Sequence, residues 1–233
     1  MKKIAIFVEG VTERELVIEI LNKILQGRNL HIQLAEQFAN KIVLTGTGPD
    51  GDEEVFVLLV NCCGDEQVKT QIRDNFTSLV NAGYTEILGL RDVFPYTAAE
   101  LQKVAEALSV GLPVAPFSPS LHLAVMEVES WFLDEVAHFE RIHMDLTEAK
   151  LVAHGYDLRT NMGETWPNPA LTLHQIYSIC GRAYLTQGRK TLRRIRRTLR
   201  ALDMDRLLNG AAARNTSLSN FLSSLKAAVA HPG

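Results

Sequence analysis

The sequence predicts an α/β fold with a mostly parallel central sheet flanked by helices, followed by a helical C-terminal extension. Short apolar runs without polar interruption alternate with amphipathic segments in the first part of the chain, beginning with residues 4–8. This alternation is typical of parallel strands that are joined by helical crossovers and covered on both faces. Beyond about residue 141 helical periodicity replaces the strand-like runs. We therefore divide the chain into an α/β domain, residues 1–140, and a helical extension with a basic helix, residues 141–233.

The first strand and the first helix form the best defined pair of elements. Residues 4–8 are all apolar, and Gly10 permits a turn directly after them. Thr12 and Glu15 have the spacing of a capping box, in which each side chain bonds a free backbone N–H at the helix start. An apolar stripe follows at helical spacing and indicates a helix that ends near Gly27.

The rest of the α/β domain is predicted from the same two patterns. Residues 41–45 and 54–60 favour two strands, which we expect to pair as a hairpin across the turn-rich residues 46–51. Asp65 is a candidate N-cap for the helix that follows. Residues 29–38 are ambiguous. The remaining predictions are helices over residues 66–82 and 97–109, strands over 86–90, 114–117 and 121–126, and a helix that runs through Glu127 and Glu129.

The extension is predicted to be all helical. Residues 145–169 favour one or two short helices with an irregular connection, and residues 171–185 a further helix. Gln187 and Gly188 would interrupt the pattern, and residues 189–208 would then form the longest amphipathic helix of this half. A last helix is predicted over residues 218–230.

Composition and motifs exclude several classes of protein. The 233 residues are 46% hydrophobic and 22% charged, which is ordinary for a soluble domain, and the start of the chain lacks the features of a signal peptide. We therefore expect a cytoplasmic protein without a membrane-spanning segment. Walker A, G-x-G-x-x-G, G-x-S-x-G and H-E-x-x-H motifs do not occur. The odd number of cysteines, without C-x-x-C spacing, predicts reduced and buried thiols.

The positive charge of the chain is concentrated in one segment. Between Arg182 and Arg206 nine basic residues stand against two acidic ones, so this segment carries +7 and the rest of the chain −10. On a helix, an apolar arc of Leu192, Ile195, Leu199 and Leu202 would dock, and an adjoining arc of arginines without acidic partners at i+4 would face outward. We expect the arginines to bind the phosphates of DNA or RNA, and docking on the chain's own acidic body is the alternative. These arginines are Arg189, Arg193, Arg196, Arg197 and Arg200.

Five carboxylates follow or end predicted strands. Glu9 and Glu13 accompany the first strand, Asp92 the strand over residues 86–90, and Glu127 with Glu129 the strand over 121–126. The carboxyl ends of parallel strands share one edge of a sheet, where crowded carboxylates need a cation such as Mg²⁺ or Mn²⁺. The alternative is that the glutamates only complement helix dipoles. If Glu127 and Glu129 are helical their side chains diverge, and at most one of the pair is then a ligand.

Three stretches resemble a known family. Residues 7–13, FVEGVTE, are similar to the opening of TOPRIM domains, particularly the TOPRIM-like family of bacterial proteins related to the OLD nucleases. Residues 87–92, ILGLRD, resemble the strand and acidic turn of the second TOPRIM motif, and residues 126–133, MEVESWFL, a Glu-x-Glu-x-Trp segment of that family. The resemblance covers roughly residues 1–140, and its first motif is the most specific of the three.

This resemblance implies a Mg²⁺-dependent nuclease that acts on DNA or RNA, with Glu9, Glu13 and Asp92 as catalytic carboxylates and with a role in defence against phage. It also implies an ATPase partner chain, and a homodimer is compatible with it. The chain departs from the family because only one aspartate of the usual Asp-x-Asp, Asp92, is present in residues 90–94. Either Glu127 or Glu129 supplies the missing oxygen ligands, or the chain is a non-catalytic module that binds nucleic acid or protein.

Overall fold

A six-stranded, mostly parallel sheet lies between helices, which confirms the predicted α/β class. The computed structural model describes residues 1–38, 41–45, 51–64 and 67–230. The strands follow the order β3-β2-β4-β1-β5-β6 across the sheet. Their bounds are β1 (Lys2–Val8), β2 (Leu30–Phe38), β3 (Lys41–Thr45), β4 (Val55–Asn61), β5 (Glu86–Asp92) and β6 (Ser120–Ala124).

The pairing of the first four strands corrects the predicted hairpin. β1 lies parallel to both β4 and β5, and β2 lies parallel to β4. β3 pairs antiparallel with β2, with Phe38 opposite Lys41, and does not pair with β4. The ambiguous segment 29–38 therefore contains a strand, and a connection of only two residues favours its pairing with β3. The predicted turn at residues 46–50 and the candidate cap Asp65 lie outside the described residues.

Buried side chains cover both faces of the sheet. On one face Ala5 and Phe7 of β1 belong to an apolar cluster that includes Val68, Ile72 and Phe76 of the helix after β4. The alternate residues of β1 point to the opposite face and are also fully buried. This burial on both sides explains why β1 and β4 are continuous apolar runs in the sequence.

The helices differ from the prediction mainly at their ends. The first begins at Val11 with Gly10 as its N-cap and without a side-chain cap, so the predicted capping box of Thr12 and Glu15 does not form. Residues 114–117 are not a strand. The helices of the described residues are α1 (Val11–Ile24), α2 (Gln67–Asn81), α3 (Leu101–Ser109), α4 (Glu129–Asp134), α5 (His138–Ile142), α6 (Glu148–Ala153), α7 (Pro169–Ser178), α8 (Leu192–Ala201), α9 (Ala212–Arg214) and α10 (Thr216–Val229).

A small β-ribbon replaces helix in the basic segment. β7 (Leu185–Thr186) pairs antiparallel with β8 (Arg189–Lys190). The two residues between the strands, Gln187 and Gly188, have φ values of 49° and 74°, which suits the tight turn of a hairpin. The predicted helices over residues 171–185 and 189–208 are therefore both too long. α8 ends where Leu202 becomes extended, and a π-helix follows over Arg206–Ala211.

The chain packs as two compact units. The first contains Met1–Arg91, Gln102–Leu123 and Asn220–Gly233, and the second contains Asp92–Leu101 and Ala124–Ser219. The boundary that we expected at residue 140 stays a prediction, because these units describe packing and not independent folding. Within the described residues no helix has both the length and the hydropathy that a bilayer crossing needs.

Candidate metal centre and arginine cavity

Three predicted ligands meet inside the second unit. Asp92, Glu127 and Glu129 each offer one carboxylate oxygen, and these oxygens lie within 4.8 Å of one another. All three residues are buried, and Glu129 has no exposed surface. We call this group the acidic cluster. Carboxylates in such proximity repel one another unless a proton or a cation lies between them.

Local backbone geometry brings the three carboxylates together. Asp92 is the last residue of β5, and its Oδ1 accepts a hydrogen bond of 3.0 Å from the backbone N–H of Val128. After β6 the chain turns at Met126, which has a φ of 63°, so Glu127 is neither in a strand nor in a helix. Because Glu127 precedes the helix that contains Glu129, the predicted divergence of the two side chains on one helix does not occur, and both carboxylates could serve as ligands.

Protein donors hold the two glutamates. The Oε2 of Glu127 accepts a hydrogen bond of 2.8 Å from the N–H of Ala170 in the first turn of α7. The Oε1 of Glu129 accepts one of 2.6 Å from the hydroxyl of Tyr184. The other oxygen of Glu129, Oε2, is buried without a hydrogen-bond partner. A buried carboxylate oxygen without a donor is costly, so this atom indicates a missing cation or donor.

Lys190 brings a positive charge to the cluster. Its Nζ lies 3.0 Å from Glu129 Oε1 and 3.6 Å from Glu127 Oε1. With all groups ionised, three carboxylates and one ammonium leave a formal charge of −2, which one divalent cation would balance. We did not predict this role for Lys190, because we interpreted residues 189–208 as one helix. The only sequence signal for it is the turn-forming pair Gln187 and Gly188.

Burial and a neighbouring like charge raise the pKa of Glu127. Loss of solvation raises its pKa above the usual value, and the neighbouring charge of Glu129 raises it further. The charge of Lys190 and the N–H of Ala170 oppose this shift without cancelling it. Without a further cation, the acidic cluster therefore resists full ionisation.

The acidic cluster can hold a metal ion. Its donors are carboxylate oxygens, which hard divalent cations prefer. An ion with ligands at roughly 2.0 to 2.6 Å accommodates oxygens up to about 5 Å apart, so a separation of at most 4.8 Å needs little rearrangement. The partnerless oxygen of Glu129 provides a position for such an ion.

Glu9 and Glu13 lie in the first unit and are not members of the acidic cluster. Glu9 directly follows β1, where its N–H donates to Leu90 O and its carbonyl accepts from Gly64. Glu13 is buried in the first turn of α1. Their expected positions in the elements are confirmed, and their role as metal ligands stays a prediction.

A second charged feature of this unit is a concave space of about 630 Å³, which we call the arginine cavity. Among the predicted nucleic-acid contacts Arg193, Arg197 and Arg200 line it, whereas Arg189 and Arg196 do not. Sequence reasoning missed the rest of the lining: Arg182 and Thr186 come from the loop and the ribbon before α8, Thr191 is the N-cap of α8, and Arg194 lies on α8 itself. The full lining consists of Arg182, Thr186, Thr191, Arg193, Arg194, Arg197 and Arg200.

Packing of α8 orients these arginines. The apolar face of α8 is buried at Ile195 and Leu199, as predicted, whereas Leu192 is 39% exposed, contrary to the prediction. The guanidinium of Arg197 lies 5.7 Å from the ring centre of Tyr177, and its Nη2 donates a hydrogen bond of 2.6 Å to Ala183 O. Its Nε is buried without a partner. These contacts therefore hold the side chain of Arg197 in place.

Like charges crowd the arginine cavity. The pKa of Arg197 is lowered, first by loss of solvation and also by the charges of Arg182 and Arg194, although Tyr177 acts in the opposite direction. None of the described residues that line the cavity is acidic. Because no carboxylate compensates this charge within the lining, the cavity is suited to an anion.

Consecutive residues connect the two features. Lys190 pairs with the acidic cluster, and Thr191 lines the arginine cavity. Their Cα atoms are about 3.8 Å apart, as in any trans peptide. The ribbon therefore ends at the acidic cluster, and the residue that follows it lines the arginine cavity.

Comparison of the chain with known family profiles, with curated proteins and with solved structures finds no match.

Proposed function

We propose that this chain is a Mg²⁺-dependent phosphodiesterase that cuts DNA or RNA at the acidic cluster. The observation that carries the proposal is the meeting of Asp92, Glu127 and Glu129 in a buried group with one partnerless oxygen. A buried site of three carboxylates and a lysine is costly to keep without a ligand, which favours a functional role. The three carboxylates would hold the ion.

The residues around the cluster suit phosphoryl chemistry. A divalent cation supplies an activated water and stabilises charge on the phosphoryl oxygens. The ammonium of Lys190 lies beside carboxylate oxygens of Glu127 and Glu129 and would neutralise negative charge that develops on a phosphate bound there. The hydroxyl of Tyr184 keeps Glu129 in position. The arginine cavity, which lies next to the β-ribbon, would hold a phosphate of the DNA or RNA strand.

Other parts of this proposal depend on the sequence alone. They are Mg²⁺ in preference to Mn²⁺, additional metal ligation by Glu9 and Glu13, a role in phage defence, an ATPase partner, a homodimer and a cytoplasmic location.

One observation favours a second candidate function, a non-catalytic module that binds nucleic acid or protein. Lys190 already forms ion pairs with Glu127 and Glu129. If this lysine is the permanent counter-ion, the cluster is a buried structural network and the arginines bind without cutting. Replacement of Asp92 would then leave the binding of nucleic acid or protein unchanged, and the wild-type chain itself would show no cleavage activity.

A cleavage assay tests the first candidate. The full chain is incubated with supercoiled plasmid, single-stranded DNA and RNA in Mg²⁺, in Mn²⁺ and in EDTA. We expect cleavage that needs the cation and that falls at least about a hundredfold in Asp92→Asn, because a lost ligand removes stabilisation of transition-state charge.

The matched control is Asp74→Asn, which alters an exposed carboxylate that pairs with Arg73 on α2. It should retain full activity. Unchanged cleavage in Asp92→Asn, or no cleavage of any substrate by the wild-type chain, would reject the nuclease.

A further inference from the structure

The shape of the arginine cavity differs from that of a surface for duplex DNA. Its arginines come from α8 and from the loop before the ribbon, and together they line a concave space of about 630 Å³. This volume is within the usual range of about 300–1,000 Å³ for small-ligand sites. A compact anionic group therefore fits the cavity better than a long, evenly charged backbone.

The lining favours a phosphate monoester over a phosphodiester. A terminal monoester carries up to two negative charges and three free oxygens, whereas an internal diester carries one charge and two free oxygens. Five guanidinium groups offer several paired donors for such oxygens, and the hydroxyls of Thr186 and Thr191 add further donors. Within the described part of the chain, these arginines form no ion pair with a carboxylate.

Part of the cavity is organised before any ligand binds. Arg194 donates to Leu185 O, and Arg197 donates to Ala183 O while its ring contact with Tyr177 restricts it. Side chains that are already held lose less conformational entropy when they bind.

We propose that the arginine cavity binds the terminal phosphate monoester of a nucleotide. This inference rests on the proposed function and adds to it the class of substrate, a strand with a phosphorylated end. Thr191, which lines the cavity, directly follows Lys190, which pairs with the acidic cluster. A terminal phosphate bound in the cavity would therefore lie near the acidic cluster. The enzyme would then cut near the phosphorylated end.

Binding measured in EDTA tests the phosphate monoester site independently of metal binding at the acidic cluster. Fluorescent oligothymidylates with a 5′-phosphate, with a 3′-phosphate or with hydroxyl ends are titrated with the wild-type chain. We expect at least one phosphorylated strand to bind about tenfold or more tightly than the hydroxyl strand, because of the added charge-assisted hydrogen bonds. Equal affinity of all three strands would overturn the proposal, whether or not the protein cuts nucleic acid.

Competition with thymidine 5′-monophosphate distinguishes two sources of the same chemistry. If the mononucleotide displaces the strand at concentrations near the Kd of the strand, the natural ligand is a free nucleotide. If displacement needs far higher concentrations, the ligand is the end of a strand. Both outcomes support the phosphate monoester site, but a free nucleotide as the ligand would overturn the phosphorylated strand end as the class of substrate.

Substitutions then assign the effect to the cavity. Arg200→Ala should reduce the preference for the phosphorylated strand to less than about threefold, and Arg200→Lys, which keeps the charge but not the paired donors, should restore it only in part. Arg73→Ala removes an equal charge from an exposed position on α2 and should leave the preference unchanged. An undiminished preference in Arg200→Ala, with folding verified by circular dichroism, would place the site elsewhere and overturn the assignment.

Discussion

The acidic cluster and the arginine cavity lie in the same unit, but their charged side chains differ in burial and in hydrogen-bond partners. The carboxylates are buried, and a backbone amide or a tyrosine hydroxyl holds each of them. Arg193 and Arg200 of the cavity are exposed to solvent. Buried charge is costly and requires a specific partner, whereas exposed charge is screened and tolerated. This difference is consistent with the roles that we propose, ion binding and chemistry at the cluster and capture of the substrate in the cavity.

The largest expected effect is on kcat, and it distinguishes a catalytic role of the acidic cluster from a binding role of the arginine cavity. Glu129→Gln should lower kcat by roughly 10²–10³, because the lost charge acts at the reacting phosphate. Arg200→Ala should raise KM several-fold with little change in kcat, because an arginine of the cavity contributes equally to ground-state and transition-state binding. Steady-state kinetics on a strand that the wild-type chain cuts provides both values. A fall of kcat in Arg200→Ala as large as that in Glu129→Gln would abolish the distinction.

A smaller effect concerns stability and pH. Burial raises the pKa of Glu127 in the folded chain, so the folded state takes up this proton more readily than the unfolded state. The metal-free protein therefore loses stability as pH rises from the unfolded value of 4.5 through the folded pKa, and the loss remains at higher pH. Glu127→Gln removes this ionisation and should raise Tm at pH 8, by about 2–4 °C for each 1 kcal/mol gained.

The same substitution should have little effect near pH 4, where Glu127 is protonated in the wild-type chain. Glu140→Gln changes an exposed glutamate of α5 and is the control. Thermal melts in EDTA at both pH values measure the difference. A lower Tm of Glu127→Gln at pH 8 would mean that its ion pair with Lys190 is a net stabilising contact, which favours the non-catalytic module.

The sequence predicted the sheet well because its signals are local. Continuous apolar runs identified β1, β4 and β5, since strands covered on both faces need no polar alternation. The antiparallel pairing of β3 with β2 was not predictable in this way, because apolar pattern does not specify the neighbour of a strand. The approach of Asp92 to Glu127 and Glu129 was expected from their positions at strand ends.

The partners of the acidic cluster were not predictable from pattern. Lys190 reaches the glutamates because a two-residue turn at Gln187 and Gly188 reverses the chain before α8. On a helical projection the same residue is only one of many basic positions. Arg182 and Arg194 likewise join the cavity through tertiary packing, since Arg194 is anchored on Leu185 O. Helical periodicity describes one face of one element and cannot show which loops complete a site.

Calorimetric titration of the metal-free chain with Mn²⁺ at pH 8 tests the central claim most directly. We predict binding of one ion per chain at the acidic cluster, abolished or weakened at least about tenfold in Glu129→Gln and Asp92→Asn and retained in Asp74→Asn. No binding by the wild-type chain, or equal binding by all four proteins, would contradict the metal centre.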